Sequence, residues 1–450
     1  MEEIKFIGYI SHAFRDSEEP VIESEFSRLT LTVDGYLEDD LKDTVRENIN
    51  LYRAEIFHES CPFLGINTEI LRSSKKIRRP FILTFSYSNR EEANGGIYGY
   101  FQNTQESYRF IRIIQVVGLL KNFHHLRILH LMQNRMLYLY NLVAERILST
   151  SYKSKIKHVQ YIKSRNINLV TEPIGQGALS RLITSNSITR GLFDVGHGTP
   201  ITKNVIANGT YRFEDRLNTT QVIFLSHWDE DHFQLATHFK FNFLLDCYWY
   251  FPFSIDVIKN GSPEEAFDYE PRLLVWETIL KIIKNNKFMA VNHESEGQIS
   301  LGANKDILYA CGKKDANSND RGIVYILRTQ QNDCKKHVFI PGDADYQVKD
   351  KWLKWRYTSV IASHHGSKYL ASLKLTPPKL PIPANKNAKF VFSFGFNDHY
   401  KHPSNTAISV AQNSGYTIHY TSCPFWQYIS NKHFKLTIYN AFAYQVYHFD

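Results

Sequence analysis

The sequence predicts an α/β protein in which a sheet sandwich follows a mixed, partly helical N-terminal domain. Short apolar runs typical of buried strands alternate with stretches that have the spacing of amphipathic helices. Four apolar runs in the second part of the chain lead directly into histidines, carboxylates or asparagine. That repeated layout predicts a functional rim on a sheet sandwich. The four runs are Val222–Leu225, Val338–Ile340, Ser359–Ala362 and Val391–Phe394.

A change of pattern near residue 165 divides the chain into two predicted domains, 1–165 and 166–450. From Gln105 to about Lys163, apolar residues recur at helical spacing, which predicts one long helix or two joined near Asn122–His125. The role of the first domain stays open, with a partner protein as its candidate ligand. The runs before Gln105 that predict strands include Ile4–Ile10, Leu29–Val33 and Pro80–Tyr87.

Composition favours a folded protein without a disulfide framework. Of the 450 residues, 43% are hydrophobic and 14% aromatic, which supplies packed cores and argues against disorder. The 53 Lys and Arg exceed the 45 Asp and Glu, giving a net charge of +8 that permits a polyanionic partner without requiring one. The five cysteines have no CxxC spacing, so we expect reduced thiols rather than disulfides or a zinc ribbon.

The sequence gives no reason to expect a membrane partner. Its first residues lack the basic and apolar regions of a signal peptide, and no uninterrupted apolar run approaches the length of a membrane span. We therefore expect a cytoplasmic, soluble protein.

The strongest local signal is a cluster of possible metal ligands after the apolar run Val222–Leu225. His227, Asp229, Asp231 and His232 lie within six positions. In an extended loop, His227, Asp229 and Asp231 would point to one place and His232 to a second place beside it. Imidazoles and carboxylates are ligands of Zn, Mn and Fe. The alternative is a polar surface turn, which rarely concentrates these residue types directly after a buried strand.

These residues also carry a family resemblance. The run His227-x-Asp229-x-Asp231-His232 resembles the His-x-His-x-Asp-His signature of the metallo-β-lactamase superfamily, with Asp229 where most members have the second His. That variant is similar to the branch typified by the hydrolase domain of ComEC, a bacterial DNA-uptake channel. Over residues 166–435, further motifs match in the same order: Gly175-Gln-Gly177, Leu192–Gly196, Asn319-Asp320, Gly342-Asp343, Ser363–Ser367 and Ser393–Pro403.

The resemblance implies a metallo-β-lactamase-like αββα sandwich with two divalent transition-metal ions, Zn or Mn, and no other cofactor. It implies that Asp343 bridges the ions and that one of His364 and His365 completes the coordination shell of the second ion. His227 and Asp229 would hold the first ion, and Asp231 and His232 the second. Asp231 and His402 are the implied catalytic residues, His402 as a donor to the phosphate or leaving group. His402 could instead simply precede a helix at Pro403.

One departure from the superfamily pattern bears on the first metal. The histidine that usually lies between the first motif and the bridging Asp has no clear counterpart; His293 and His337 are candidates by position alone. A shell rich in oxygen ligands favours Mn or Fe more than an all-histidine shell does. The chain also lacks the membrane channel of ComEC.

The function that the sequence predicts is metal-dependent hydrolysis, with a two-metal phosphodiesterase or nuclease as the main hypothesis. A metal ion lowers the pKa of bound water to about 7, which supplies hydroxide at neutral pH. Nucleic acid or another phosphodiester is the expected substrate. Two alternatives stay open: a hydrolase of a small-molecule ester, lactone or lactam, and a regulatory or binding protein with a vestigial metal site.

Overall fold

The computed structural model forms two compact units. The first comprises Met1–Arg146, Thr237–Asn242 and Val257–Lys284, and the second comprises Ile147–Ala236, Phe243–Asp256 and Asn285–Asp450. Two segments that follow residue 165 in the chain therefore belong to the first unit. The structure describes residues 3–13, 29–42, 49–57, 80–101, 109–118, 123–153, 167–172, 178–196, 214–270, 272–302, 305–331, 334–394, 402–421 and 444–445.

A closed antiparallel barrel is the core of the first unit. Its strand order is β1-β2-β3-β5-β6-β4, and pairing of β1 with β4 closes it. Buried apolar side chains such as Phe6, Leu83 and Phe85 fill the interior. The strands are β1 (Ile4–Ala13), β2 (Leu29–Leu37), β3 (Tyr52–Phe57), β4 (Phe81–Tyr87), β5 (Gly95–Gly99) and β6 (Arg109–Gly118).

The helix predicted from Gln105 onwards is wrong for residues 109–118, which form β6. Ile111 and Ile113 are buried, whereas Arg112 and Ile114 are exposed. That alternation has the period of a strand with one face on the barrel core, and β-branched side chains suit it. The apolar residues of this segment fit both a helical and a strand period. Pairing of the segment with β4 and β5 selects the strand.

The helices of the first unit include a long one, where helical spacing predicted it. They are α1 (Glu38–Leu41), α2 (Phe123–Lys153), α5 (Ile255–Asn260, from residue 257 on), α6 (Pro263–Tyr269) and α7 (Leu273–Lys284). The exposed His130 lies on α2, while the side chains of His124 and His125 lie outside the described residues.

A buried polar network joins the barrel to two of these helices. The Arg135 guanidinium of α2 donates to Glu277 Oε1 of α7 at 2.6 Å, and the Tyr36 hydroxyl of β2 donates to the same oxygen at 2.5 Å. Burial, followed by the charge of Glu277, raises the pKa of Tyr36 well above its usual value. Removing one partner of a buried ion pair costs about 3–5 kcal/mol. The network therefore ties segment 257–284 to residues far away in sequence.

The second unit contains two seven-stranded sheets and a two-stranded one. The first sheet has the order β12-β11-β10-β9-β8-β7-β22, with β7 (Ile167–Thr171), β8 (Ser180–Thr184), β9 (Thr189–Phe193), β10 (Val222–Phe224), β11 (Tyr248–Pro252), β12 (Phe288–Val291) and β22 (Tyr444–Gln445). The second has the order β13-β14-β15-β16-β18-β20-β21, with β13 (Glu296–Gly302), β14 (Lys305–Cys311), β15 (Ile323–Gln331), β16 (Cys334–Ile340), β18 (Ser359–Ile361), β20 (Lys389–Phe392) and β21 (Thr417–Tyr420). The small sheet pairs β17 (Arg356–Tyr357) with β19 (Ile382–Pro383).

The two large sheets share one apolar core. The ring of Tyr325 on β15 lies 5.4 Å from that of Phe193 and 5.5 Å from that of Phe224, both in the first sheet. On β15 the neighbouring Val324 and Ile326 face the opposite way, into a second core that includes Ala407 and Ile408. This period-two alternation is that of a strand buried on both faces.

The α-helices in the described part of the second unit include α3 (Glu214–Leu217), α4 (Glu230–Phe233), α8 (Asp350–Leu353) and α9 (Asn405–Asn413). The second core packs α9 against the outer face of the second sheet. The predicted mixed α/β class is confirmed. Within the described residues, no helix is long and apolar enough to cross a membrane.

Candidate metal centre

The polar side chains predicted to form a site converge because parallel strands end together. Strands β9 and β10 run parallel in the first sheet, and β16, β18 and β20 run parallel in the second. Their carboxyl ends therefore lie at one edge of each sheet. The polar residues that follow these strands are Asp194 after β9, Ser226 and His227 after β10, Asp343 after β16, His364 and His365 after β18, and Ser393 after β20.

One group of side chains surrounds Asp343 Oδ1, and we name Asp231, His232 and His365 with this oxygen the Oδ1 cluster. His232 Nε2 lies 3.2 Å and His365 Nε2 4.0 Å from Asp343 Oδ1. Asp231 Oδ2 lies 3.9 Å from His232 Nε2 and 3.8 Å from His365 Nε2. One ligand atom from each of these four residues lies within 4.8 Å of all the others, a spacing suited to one metal ion.

The other oxygen of the same carboxylate faces a second group, the Oδ2 cluster of His227, Asp229 and His364. His364 Nε2 lies 3.6 Å and His227 Nε2 3.9 Å from Asp343 Oδ2. Asp229 Oδ2 lies 3.3 Å from His227 Nε2. The side chains of Asp229 and His364 are 30% and 32% exposed, so this cluster is more open to solvent than the Oδ1 cluster.

A single helical turn directs Asp229 and Asp231, which are close in sequence, to different clusters. The extended-loop expectation that grouped His227, Asp229 and Asp231 is wrong, because α4 begins at Glu230. Asp229 is the N-cap of this helix and its carbonyl accepts from the His232 amide at 2.9 Å. The turn carries Asp231 towards His232 and His365, away from His227.

Hydrogen bonds orient three of the imidazoles through Nδ1. Such a bond fixes the ring so that Nε2 points into the site, as in proteins whose histidines hold metals. The pairs are His227 Nδ1 with Ser226 Oγ at 3.0 Å, His232 Nδ1 with Asp194 Oδ2 at 2.9 Å, and His365 Nδ1 with the Ser393 carbonyl at 2.7 Å.

The Nε2 atoms of these three rings show whether the residues present fit metal ions. Nε2 of His227, His232 and His365 is buried and has no hydrogen-bond partner among the described residues. An unsatisfied buried polar group costs about 1–3 kcal/mol, and native structures rarely leave several together. Two ligand atoms bound to the same ion, each about 2.0–2.2 Å from it, lie no more than about 4.4 Å from one another. The residues present therefore fit divalent ions.

Charge in the site also favours cations. Burial alone would lower the pKa of His232, but Asp343, Asp194 and Asp231 raise it well above its usual value. Burial alone would raise the pKa of Asp343, but His232 and His364 lower it well below its usual value. The carboxylates thus stabilise positive charge at this point, either as a proton on imidazole or as a metal ion. Metal binding and proton binding compete for the same nitrogens.

Backbone geometry at the rim depends on a glycine. Gly342 adopts φ +59°, and a Cβ there would approach Ser226 Oγ to 2.5 Å. Ser226 also contacts Asp194, His227 and His232, so its position orders both clusters. His364 and His365 adopt φ of 46° and 53°, the left-handed region that costs non-glycine residues about 1–2 kcal/mol each. Such strain often accompanies functional sites.

Gly342→Ala should lower the free energy of unfolding by about 2–4 kcal/mol, because it adds a steric clash to left-handed strain. Urea denaturation of the metal-free protein measures this loss. Gly415→Ala is the matched control, because Gly415 has φ +91° but its nearest atom to a new Cβ is Pro383 Cγ at 3.7 Å. The control should lose only about 1–2 kcal/mol. Equal losses would contradict the packing of Gly342 against Ser226.

His402 lies beside the clusters and also just before a helix. Its ring centre lies 5.8 Å from that of His364 and 6.3 Å from that of His365. Burial, together with the neighbouring His365 and His364, lowers the pKa of His402 to about 3. The ring is therefore neutral at neutral pH. Pro403 and Ser404 follow, and Ser404 caps α9 by accepting from the Ala407 amide at 3.2 Å.

Several residues that support the site had no role assigned from the sequence. Asp194 is buried with φ +57° and accepts hydrogen bonds from the Ser226 amide and hydroxyl at 2.7 and 2.9 Å. Its position directly after β9 is the signal that could have identified it. Asn319 lies 3.4 Å from His364 Nδ1. The Gly175-Gln-Gly177 motif and residues 395–401 lie outside the described residues.

Both positional candidates for an additional histidine direct Nδ1 at a main-chain carbonyl. His293 Nδ1 lies 3.2 Å from the Gly312 carbonyl. His337 Nδ1 lies 3.1 Å from the Arg356 carbonyl, and its ring packs 4.9 Å from that of Trp355. His364 is the histidine that accompanies His227 and Asp229.

No protein-family model matches this chain, and no curated protein matches it. Solved structures with similar folds include CmlA, a diiron β-hydroxylase from Streptomyces venezuelae, with 12% identity, a TM-score of 0.32 and coverage of 57% of this chain and 53% of that chain. The chain thus spans about half the length of CmlA. Likenesses at this level carry no conclusion about the reaction of this chain.

Two further similar structures are shorter proteins. Tm1679, a metal-dependent hydrolase of the β-lactamase superfamily, has 11% identity and a TM-score of 0.30, with coverage of 58% of this chain and 96% of that chain. Zn²⁺-bound PqqB from Methylobacterium extorquens has 8% identity and a TM-score of 0.30, with coverage of 56% and 97%. The case for function therefore depends on the site itself.

Proposed function

We propose that this chain is a metal-dependent hydrolase of the metallo-β-lactamase superfamily that cleaves phosphodiesters at a two-metal centre. One observation carries the proposal: the two oxygens of Asp343 face two separate clusters of imidazoles and carboxylates. A carboxylate whose two oxygens face separate ligand sets can bridge a pair of metal ions about 3.5–4 Å apart. The ordered motifs that resemble the superfamily support the same assignment.

In this proposal Asp231, His232 and His365 of the Oδ1 cluster would hold one ion, and His227, Asp229 and His364 of the Oδ2 cluster would hold the other. When bound, such ions polarise a phosphoryl oxygen and lower the pKa of water from about 15.7 to about 7. The mixed ligand set of four imidazoles and three carboxylates makes Mn or Zn the candidate metals.

The chain's own residues would orient the reactants. Asp231 would use its remaining oxygen to accept a hydrogen bond from the attacking water. His402, as a neutral ring, would donate one N–H to a phosphoryl or leaving oxygen. The greater exposure of Asp229 and His364 makes the Oδ2 side the direction from which substrate would approach. The net charge of +8 and the Asp229 variant, which is similar to the ComEC branch, favour a nucleic-acid phosphodiester.

Metal analysis gives the first test. The purified protein should contain two transition-metal ions per chain, measured by elemental mass spectrometry. Chelation should remove both and lower the melting temperature, and adding Mn or Zn should restore it, because ligands that bind only the folded state stabilise it. Finding no metal, under conditions in which a known metallohydrolase retains its own, would contradict the metal centre itself.

A substrate panel tests the reaction. Single- and double-stranded DNA, RNA, cyclic dinucleotides and a bis-aryl phosphodiester should be offered with Mn and Zn in turn. Metal-dependent cleavage of at least one diester is the expected result. Cleavage of a lactone, lactam or carboxylic ester alone would replace the proposed substrate class, and metal binding without any turnover would favour a binding protein.

A further inference from the structure

An exposed aromatic ring lies near two lysines, shortly after His364 and His365 in the sequence. Tyr369 is 71% exposed, the largest value among the exposed large hydrophobic residues of the described chain. The ammonium nitrogens of Lys368 and Lys374 lie 5.3 and 5.9 Å from its ring centre. Within the described residues, neither lysine has an acidic partner. We name these three residues the Tyr369 platform.

The backbone beneath the platform is connected to the metal centre by hydrogen bonds. The Tyr369 amide donates to Ser367 Oγ at 3.2 Å, and the Ser367 amide donates to the His364 carbonyl at 2.9 Å. Leu370 and Leu373 are buried, which anchors the segment that follows. Tyr369 is four residues beyond His365, so their Cα atoms are at most about 14 Å apart. A ligand on the platform therefore lies close to the clusters.

The stretch of sequence that carries the platform has charged residues of one sign. From Lys351 to Asn397 the sequence has eight Lys or Arg and no Asp or Glu. Two of these cations pair with acids from outside the run: Lys351 with Glu296, and Lys379 with Asp350 at 3.5 Å. Lys368 and Lys374 stay available to an external anion. A basic stretch next in sequence to a site that would hold cations favours binding of a polyanion.

We propose that the Tyr369 platform binds single-stranded nucleic acid and guides it towards the metal centre. This inference rests on the proposed phosphodiesterase function and deepens it by naming the substrate class. An exposed ring can stack on one base of any sequence, as in proteins that bind single strands without sequence preference. The two ammonium groups beside the ring contact the adjacent phosphates. The base on Tyr369 would lie within a few nucleotides of the diester that is cleaved.

Binding should be measured on the full, metal-loaded chain by fluorescence anisotropy, with a phosphorothioate-linked oligothymidylate of about twelve nucleotides that resists hydrolysis. Tyr369→Ala should weaken binding about 5- to 150-fold, the loss expected for one stacked base. Its salt dependence should stay that of the wild type. Tyr369→Phe keeps the ring and should bind within about twofold of the wild type.

The lysines predict a different signature. Lys368→Ala and Lys374→Ala should each reduce the slope of log affinity against log salt by about 0.7, because each removes one phosphate contact. Tyr87→Ala is the matched control: Tyr87 is 45% exposed on the barrel, with the Arg109 guanidinium 5.5 Å from its ring centre. This control should leave oligonucleotide affinity unchanged.

The outcomes separate this inference from the proposed function. If the wild type binds the oligonucleotide but Tyr369→Ala binds equally well, the platform assignment is wrong and the phosphodiesterase proposal stands. If the wild type hydrolyses the bis-aryl diester but binds no oligonucleotide, the nucleic-acid substrate class is wrong. Loss of binding in Tyr87→Ala to the same extent as in Tyr369→Ala would also overturn the platform.

Discussion

Asp231→Asn should lower turnover of a diester substrate about a thousandfold or more, or ~4 kcal/mol in the barrier. The amide keeps the size of the side chain but loses the charge that contributes to the Oδ1 cluster. Asp231 Oδ2 lies 3.8 Å from His365 Nε2 and 3.9 Å from His232 Nε2, so the neutral side chain would weaken that metal position. Steady-state kinetics with saturating Mn or Zn, together with metal analysis, would measure both effects.

The fold should survive Asp231→Asn, because main-chain groups fix residue 231. Its carbonyl accepts from the Ala178 amide at 2.9 Å, and the side chain is 14% exposed at the rim. Circular dichroism and the urea midpoint of the metal-free variant check this. Asp315→Asn, an exposed change on a turn, is the control and should retain wild-type turnover. A variant at Asp231 as fast as the wild type would exclude the proposed role.

Much of the candidate site could be predicted because its ligands follow short apolar strands. A polar residue immediately after a buried strand must leave the core, and parallel strands bring several such residues to one edge. Sequence alone did not determine which of His364 and His365 joins Asp231. That choice depends on two consecutive left-handed residues, which local propensity disfavours. Asp194 lies within the motif Leu192–Gly196, but its contact with His232 joins residues 38 positions apart, which a local pattern does not reveal.

The first unit was harder to predict because its organisation is non-local. Closure of the barrel depends on pairing β1 with β4, and residues 109–118 become a strand through partners elsewhere in the chain. The contact between Arg135 and Glu277 joins positions 142 residues apart, which no local pattern reveals. A fragment that begins at residue 166 would lack Arg135 and leave Glu277 buried without its cation. A test of metal binding by that fragment therefore needs Glu277→Gln or a similar neutral replacement.

Asp343→Asn should remove both metal ions, whereas Asp231→Asn should remove or weaken only one. In Asp343 each carboxylate oxygen faces a different cluster, with the shortest separations 3.2 Å to His232 Nε2 and 3.6 Å to His364 Nε2. The amide removes the negative charge that faces both clusters, and its NH2 group replaces one oxygen with a donor that cannot bind a cation. Turnover should fall at least as far as in Asp231→Asn, about a thousandfold or more.

Metal stoichiometry after exhaustive dialysis distinguishes the two variants, and titration calorimetry with Mn measures the affinity of each remaining position. Asp345→Asn is a nearby control, since Asp345 caps the turn Tyr346–Lys349 by accepting from the Gln347 amide at 3.1 Å. Asn caps a helical turn about as well as Asp, so the change should cost stability mainly through the second oxygen, which accepts from the Ser372 amide at 3.1 Å, about 1–3 kcal/mol, while leaving two ions bound. If Asp343→Asn keeps one ion at wild-type affinity, Asp343 is not shared. In that case the metal position that remains does not depend on Asp343, and the proposed sharing of this carboxylate between two ions fails.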